Sequence, residues 1–260
     1  MSRRIIIANQ KGGVAKTTTA VNLGIGLARV GKKVLLIDND PQGSLTEALG
    51  YQQPDGLEIT LSMVLDKVIN EERFILTEGI LHHEEGVDLL PANIELAGVE
   101  NTMSKESGSE YFLDEYMELV DDKYDYIIVD CSPNLGKLTI NALVAADDVI
   151  IPVQAAFLPL KGLEQLLRTI RKVQKRLNPE LNIMGILLTM VDYRTNFAKE
   201  ITEVLYQVYG NSIHIFNNCI PMSVKAAEIS AEGVSIYKYD KNGKVAKAYE
   251  SLTEEVLANE

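Results

Sequence analysis

Five short runs of the chain are apolar almost from end to end: IIIA at 5–8, VLLID at 34–38, YIIVD at 126–130, VIIPV at 149–153 and GILLT at 185–189. A strand wetted on one face alternates apolar and polar residues; a continuous run is buried on both. The pattern predicts strands over Arg4–Ala8, Lys33–Asp38, Val87–Leu90, Tyr126–Asp130, Asp148–Val153 and Met184–Leu188. Helical periodicity follows most of them, over Lys16–Val30, Leu138–Ala145, Leu160–Leu177 and Asn196–Tyr209. Alternating strand and helix implies a doubly wound, mostly parallel α/β sheet flanked by helices, with ligands at the carboxyl ends of its strands. Residues 1–260 show no linker or repeat and read as a single domain. No run is long enough to cross a bilayer, and no secretory signal is apparent, so the expected location is cytoplasmic.

The run Gln10-Lys11-Gly12-Gly13-Val14-Ala15-Lys16-Thr17-Thr18 links the first strand to the first helix. Backbone N–H groups and a helix N-terminus converge there on an anion, so this is the candidate phosphate loop. Lys16 has the reach for β- and γ-phosphates, and Thr17 the hydroxyl for Mg²⁺. Gln10 and Ala15 occupy the two glycine positions of the ordinary G-x-x-x-x-G-K-[ST] pattern. A methyl at position 15 is free of strain only at negative φ. Asp38, Asp40 and Asp130 fall at carboxyl ends of apolar strands, on the edge that carries the loop. Three carboxylates there suit a hard cation bound with phosphate oxygens.

Net charge is −12, which argues against nucleic acid for the chain as a whole. Residues 161–250 nonetheless carry 13 Lys/Arg against 9 Asp/Glu, and binding follows local potential. At helical spacing, Leu163, Leu166, Leu167, Ile170, Val173 and Leu177 share one face, and Lys161, Arg168, Lys172 and Lys175 the other. The final stretch AYESLTEEVLANE is acidic, and its Val245, Tyr249, Leu252 and Val256 spacing suits capping the sheet. An acidic face is repelled by anionic lipid, so no stable membrane association is expected. His82-His83-Glu84-Glu85 reads as a polar loop, and Cys131 and Cys219 as buried thiols.

The pattern K-G-G-x-x-K-[ST] resembles the deviant Walker A loop of the ParA/MinD superfamily, a branch of the P-loop NTPases. The resemblance extends through LLIDNDPQGSLT (35–46), YDYIIVDCSPNLGKLTINAL (124–143), GILLTMVDYRTN (185–196) and IPMSVKAAEIS (220–230), and is greatest to small Soj-like partition proteins. It implies an ATP- and Mg²⁺-dependent ATPase with Lys11, Lys16 and Asp40 catalytic. Lys11 crosses a nucleotide-sandwich homodimer to the partner's phosphates, and Asp40 positions the attacking water. The segment from Lys11 through Gly12, Gly13, Val14, Ala15, Lys16, Thr17 and Thr18 then cradles the nucleotide. Met190, Pro221 and Met222 approach the adenine; Thr17, Asp38 and Asp130 serve the metal, with Asp130 as the Walker B aspartate. It further implies non-specific DNA binding through Lys161, Arg168, Lys172, Lys175, Arg194 and Lys225, nucleoid association, and a ParB-like centromere-binding partner that stimulates slow hydrolysis. A MinD-like membrane cycle and a switch with negligible turnover are the alternatives. The chain departs from the family pattern at Ala15, at Ser132 and Asn134, and at Met222, Ser223 and Lys225.

Overall fold

The computed structural model describes all residues except 76, 156–158, 193 and 260, and backbone but not side chains at 159–161, 196 and 197. Element order is β1 (Arg3–Ile7), α1 (Lys16–Arg29), β2 (Val34–Asn39), α2 (Ser44–Ala48), α3 (Leu61–Ile69), β3 (Leu81–His82), β4 (Asp88–Leu90), α4 (Leu96–Met103), α5 (Phe112–Val120), β5 (Tyr126–Cys131) and α6 (Lys137–Ala145). There follow β6 (Asp148–Gln154), α7 (Pro159–Arg176), β7 (Asn182–Thr189), α8 (Asn196–Tyr209), α9 (Lys225–Glu232), α10 (Ile236–Tyr239) and α11 (Lys244–Ala258). The strands form one sheet in the order β3-β4-β2-β5-β1-β6-β7. Every pairing is parallel except β3 with β4. That two-residue antiparallel edge strand is absent from the sequence reading, because two residues carry no periodicity.

Strand residues alternate between the two cores. Ile6, Leu35, Ile37, Ile127 and Val129 face a cluster built with α3 to α8. Ile5, Ile7, Leu36 and Ile128 face one built with α1, α2 and α9 to α11. Both faces are therefore dry, which is why the sequence runs are continuous; each such side chain contributes on the order of 2 kcal/mol. On α7, Leu163, Leu166, Leu167, Ile170 and Val173 are buried, and on α11 Val245, Tyr249, Leu252 and Val256. The apolar face of the acidic last helix is thus spent inside the fold.

Helix α1 lies unusually close to its neighbours. A Cβ on Gly24 would stand 2.6 Å from Leu36 Cδ2, and one on Gly26 2.3 Å from Thr253 Oγ1. Beyond β7, parallel bridges join Ile186 to Ile215 and Val191 to Pro221. These draw the 215–221 segment across that end of the sheet. The His82–Glu85 run closes the β3–β4 hairpin, and its side chains are taken up by Asp88, the Gly233 carbonyl, Lys238 and Ser235. Among the described residues no helix is long and apolar enough to cross a membrane.

Candidate functional site

Strand β1 leaves the middle of the sheet and turns through residues 8–15 into α1. The Asn9 side chain moors the turn to β6 and braces it from within. Asn9 Nδ2 donates to the Pro152 carbonyl at 2.6 Å, and Asn9 Oδ1 accepts from Lys11 N–H at 3.0 Å. From β7, Thr189 Oγ1 donates to the Val14 carbonyl at 3.0 Å. Thr19 donates to the Ala15 carbonyl from both N–H (3.0 Å) and hydroxyl (2.7 Å). Gly13 takes φ +68°, the left-handed region that glycine enters freely. Ala15 takes φ +66°, so the condition for a strain-free methyl is not met. An alanine there costs on the order of 1 kcal/mol. No side chain caps the start of α1, which leaves its first N–H groups to an anion. Lys16 is buried, and Lys11 Nζ rests 3.4 Å from Gln154 Oε1.

The sheet register places Asp38 and Asp130 directly opposite one another at the ends of β2 and β5. Thr17 Oγ1 donates to Asp130 Oδ2 at 2.6 Å. The other oxygen, Asp130 Oδ1, is buried with no hydrogen-bond partner. An orphaned carboxylate oxygen beside a threonine hydroxyl and a phosphate loop fits a magnesium ion with its water. Burial raises the Asp130 carboxyl to about 7, against the lowering effect of Thr17 and Lys16; the charge of Asp40 raises it further. Burial and the Asp130 charge raise Asp38 to about 8.

Asp38 is held by the chain around it. Its Oδ2 accepts from Thr46 N–H (2.8 Å) and Thr46 hydroxyl (2.7 Å), and its Oδ1 accepts from Asp40 N–H (3.3 Å). Both oxygens are engaged by the chain, so Asp38 anchors the segment that carries Asp40. Asp40 is partly exposed, and its Oδ1 accepts from Gln42 N–H at 3.0 Å.

A cavity of about 280 Å³ opens beside the loop. Gly13, Ala15, Lys16, Thr17 and Thr18 form one wall; Met190, Pro221 and Met222 stand on the other. The sequence reading missed Tyr249, which lines the cavity from α11 and lies 3.3 Å from Thr19 Oγ1. It missed Thr189 and Gln154 as well. All three act through tertiary contacts that leave no local pattern.

The six candidate DNA-contacting cations do not form one set. Arg168, Lys172 and Lys175 are exposed on α7, opposite its buried leucines, with Glu164 4.0 Å from Arg168. The side chain of Lys161 lies outside the described residues. Arg194 is held by both oxygens of Asp192 at 2.8 Å, which draws that carboxyl down to about 2. Lys225 Nζ pairs with Asp240 at 2.9 Å. Neither of the last two is a free charge in this structure.

A family model described as an AAA domain matches residues 2–183. The sporulation initiation inhibitor protein Soj of Bacillus subtilis is 43% identical over 261 positions, covering 100% of both chains. The chain belongs to the Soj/ParA family of the ParA/MinD superfamily. Another family relative aligns over nearly the whole chain: the chromosome-partitioning ATPase Soj of Thermus thermophilus is 40% identical over 98% of this chain and 96% of its own. Among solved structures, cobyrinic acid a,c-diamide synthase from Mycobacterium smegmatis, with bound ATP analogue and magnesium, superposes at TM-score 0.87. It is 36% identical and covers 100% of this chain and 96% of its own. The septum site-determining protein MinD of Pyrococcus horikoshii, complexed with Mg-ADP, reaches 0.77 at 26% identity over 99% and 98%. In this Soj/ParA chain, the departures at Ser132 and Asn134 meet in a turn, where Asn134 N–H donates to Ser132 Oγ at 3.4 Å and Thr139 hydroxyl to the Asn134 carbonyl at 2.5 Å.

Proposed function

We propose that this chain is a Mg²⁺-dependent partition ATPase, one domain over residues 1–260, whose ATP-bound homodimer binds DNA without sequence preference. The observation that carries this reading is the convergence of the phosphate loop, the Thr17–Asp130 pair and the orphaned Asp130 oxygen on one sheet edge. ATP lies with its phosphates on residues 11–18 and its base between Met190 and the Pro221–Met222 turn. Thr17 and, through water, Asp130 would hold the magnesium ion, which would supply neutralisation of phosphate charge. Lys16 stabilises the β- and γ-phosphate oxygens as negative charge develops, and Asp40, positioned from Asp38, orients water toward the γ-phosphate. Lys11 of each protomer reaches the phosphates held by the other. Turnover is slow alone and rises when a ParB-like partner completes the site.

The exposed cations of α7 supply the DNA surface, doubled by dimerisation so that weak phosphate contacts gain avidity. The buried apolar face of α11 favours DNA over a membrane as the second target. The test is Asp40→Ala titrated onto arbitrary duplex DNA with ATP, ADP or no nucleotide, across a salt series. Salt-sensitive binding only with ATP is expected. Equal binding in all three states, or none at low salt despite bound ATP, removes the proposal.

A further inference from the structure

Ala15 poses a problem for the loop that its mooring answers. A left-handed alanine is disfavoured roughly tenfold against relaxed backbone. A loop free to relax populates its anion-receiving form that much less, and apparent affinity for phosphate falls by the same factor. The carbonyls on either side of this peptide are nevertheless fixed. Val14 carbonyl accepts from Thr189 Oγ1, across 175 residues of sequence, and Ala15 carbonyl accepts twice from Thr19. The Thr19 bonds belong to the first turn of α1 and travel with it. The Thr189 bond differs, since it ties the loop to a separate strand. Thr189 is fully buried at the end of β7, and its own carbonyl accepts from Ala155 N–H at 3.3 Å. Its successor, Met190, is itself at φ +54° and lines the nucleotide cavity.

We infer that Thr189 is a positioning residue for the phosphate loop, holding residues 14–15 in the anion-receiving conformation that Ala15 alone disfavours. Thr189 touches no phosphate; it acts through the Val14 carbonyl. The inference rests on the nucleotide reading above. It makes the effect of Thr189 conditional on the residue at position 15. With glycine there, the left-handed conformation carries no steric penalty and the clamp has little left to hold.

The experiment is a double-mutant cycle read by titration with Mg-ATP and Mg-ADP, alongside melting temperature. Thr189→Val keeps the shape and removes the hydroxyl. It is expected to weaken both nucleotides about five- to tenfold in the wild-type background and no more than about twofold in the Ala15→Gly background. Thr189→Ser restores the hydroxyl and is expected to bind within twofold of wild type. Equal losses in the two backgrounds, or a lowered melting temperature with unchanged affinity, overturn the inference and leave Thr189 as ordinary core. Should Thr189→Val fail to fold, the Thr189→Ser and Ala15→Gly arms still decide. Ala15→Gly is expected to tighten both nucleotides when combined with Thr189→Ser by less than threefold, and a tenfold gain there shows that no clamp operates. Absence of nucleotide binding by the wild-type chain removes the underlying reading instead.

Discussion

The phosphate loop and the outer face of α7, the two surfaces proposed to meet phosphate, are built on opposite plans. At the loop every element is fixed: Lys16 is buried, Thr17 is bonded to Asp130, and the backbone is moored by Asn9, Thr19 and Thr189. On α7, Arg168, Lys172 and Lys175 stand in solvent, with Arg168 only loosely paired to Glu164 at 4.0 Å. A fixed site recognises one ligand shape, and losing one member loses the site. A solvated row reads only charge, and its members contribute in near-equal, salt-screened shares.

The comparison breaks first at Lys16. Lys16→Ala is expected to weaken ATP binding at least a hundredfold by titration, and near-wild-type affinity would sink the proposed role of the loop. Reversal of Lys172 and Lys175 to Glu is the counterpart on α7. DNA affinity falls about tenfold or more, the salt slope becomes shallower by about two, and ATP affinity holds. If a single α7 substitution abolishes binding at all salt concentrations, the row is a shaped site after all. A smaller effect sharpens the contrast. Asp192→Asn with Asp240→Asn frees Arg194 and Lys225, and DNA affinity is expected to rise two- to threefold at low salt. No change would mean that these two cations lie away from DNA.

The smallest effect concerns protons. In the nucleotide-free chain, burial holds Asp38 at about 8 and Asp130 at about 7, well above their unfolded range. The folded chain keeps protons that the unfolded chain has released, so folding stability falls as pH rises from about 4 to about 8. Melting temperature is expected to drop by a few degrees over that span, and Mg-ATP to flatten the decline. No decline across the span would mean that both carboxyls ionise as they do in the unfolded chain.

Much of the fold was legible because burial on two faces writes itself into composition: the five apolar runs became β1, β2, β5, β6 and β7. The loop was legible because phosphate binding needs its residues adjacent in sequence, and the amphipathic α7 because its period is local. Other features depend on where distant segments meet. Thr46 bonds Asp38, Asp240 takes Lys225, and Thr189 reaches Val14. The Asp192–Arg194 pair, two residues apart, was the exception that spacing could have shown.

Helix α1 has glycines where it meets Leu36 on one flank and Thr253 on the other, and any side chain there would collide. Such a helix is a stator: close packing on both flanks leaves it little room to roll or slide. In the proposed cycle movement then falls to parts outside α1, chiefly the Asp40 segment, which three hydrogen bonds tether to Asp38. In mechanical terms α1 is a fixed bed for a nucleotide on the proposed phosphate loop, and motion in the proposed cycle is left to the segments that face it.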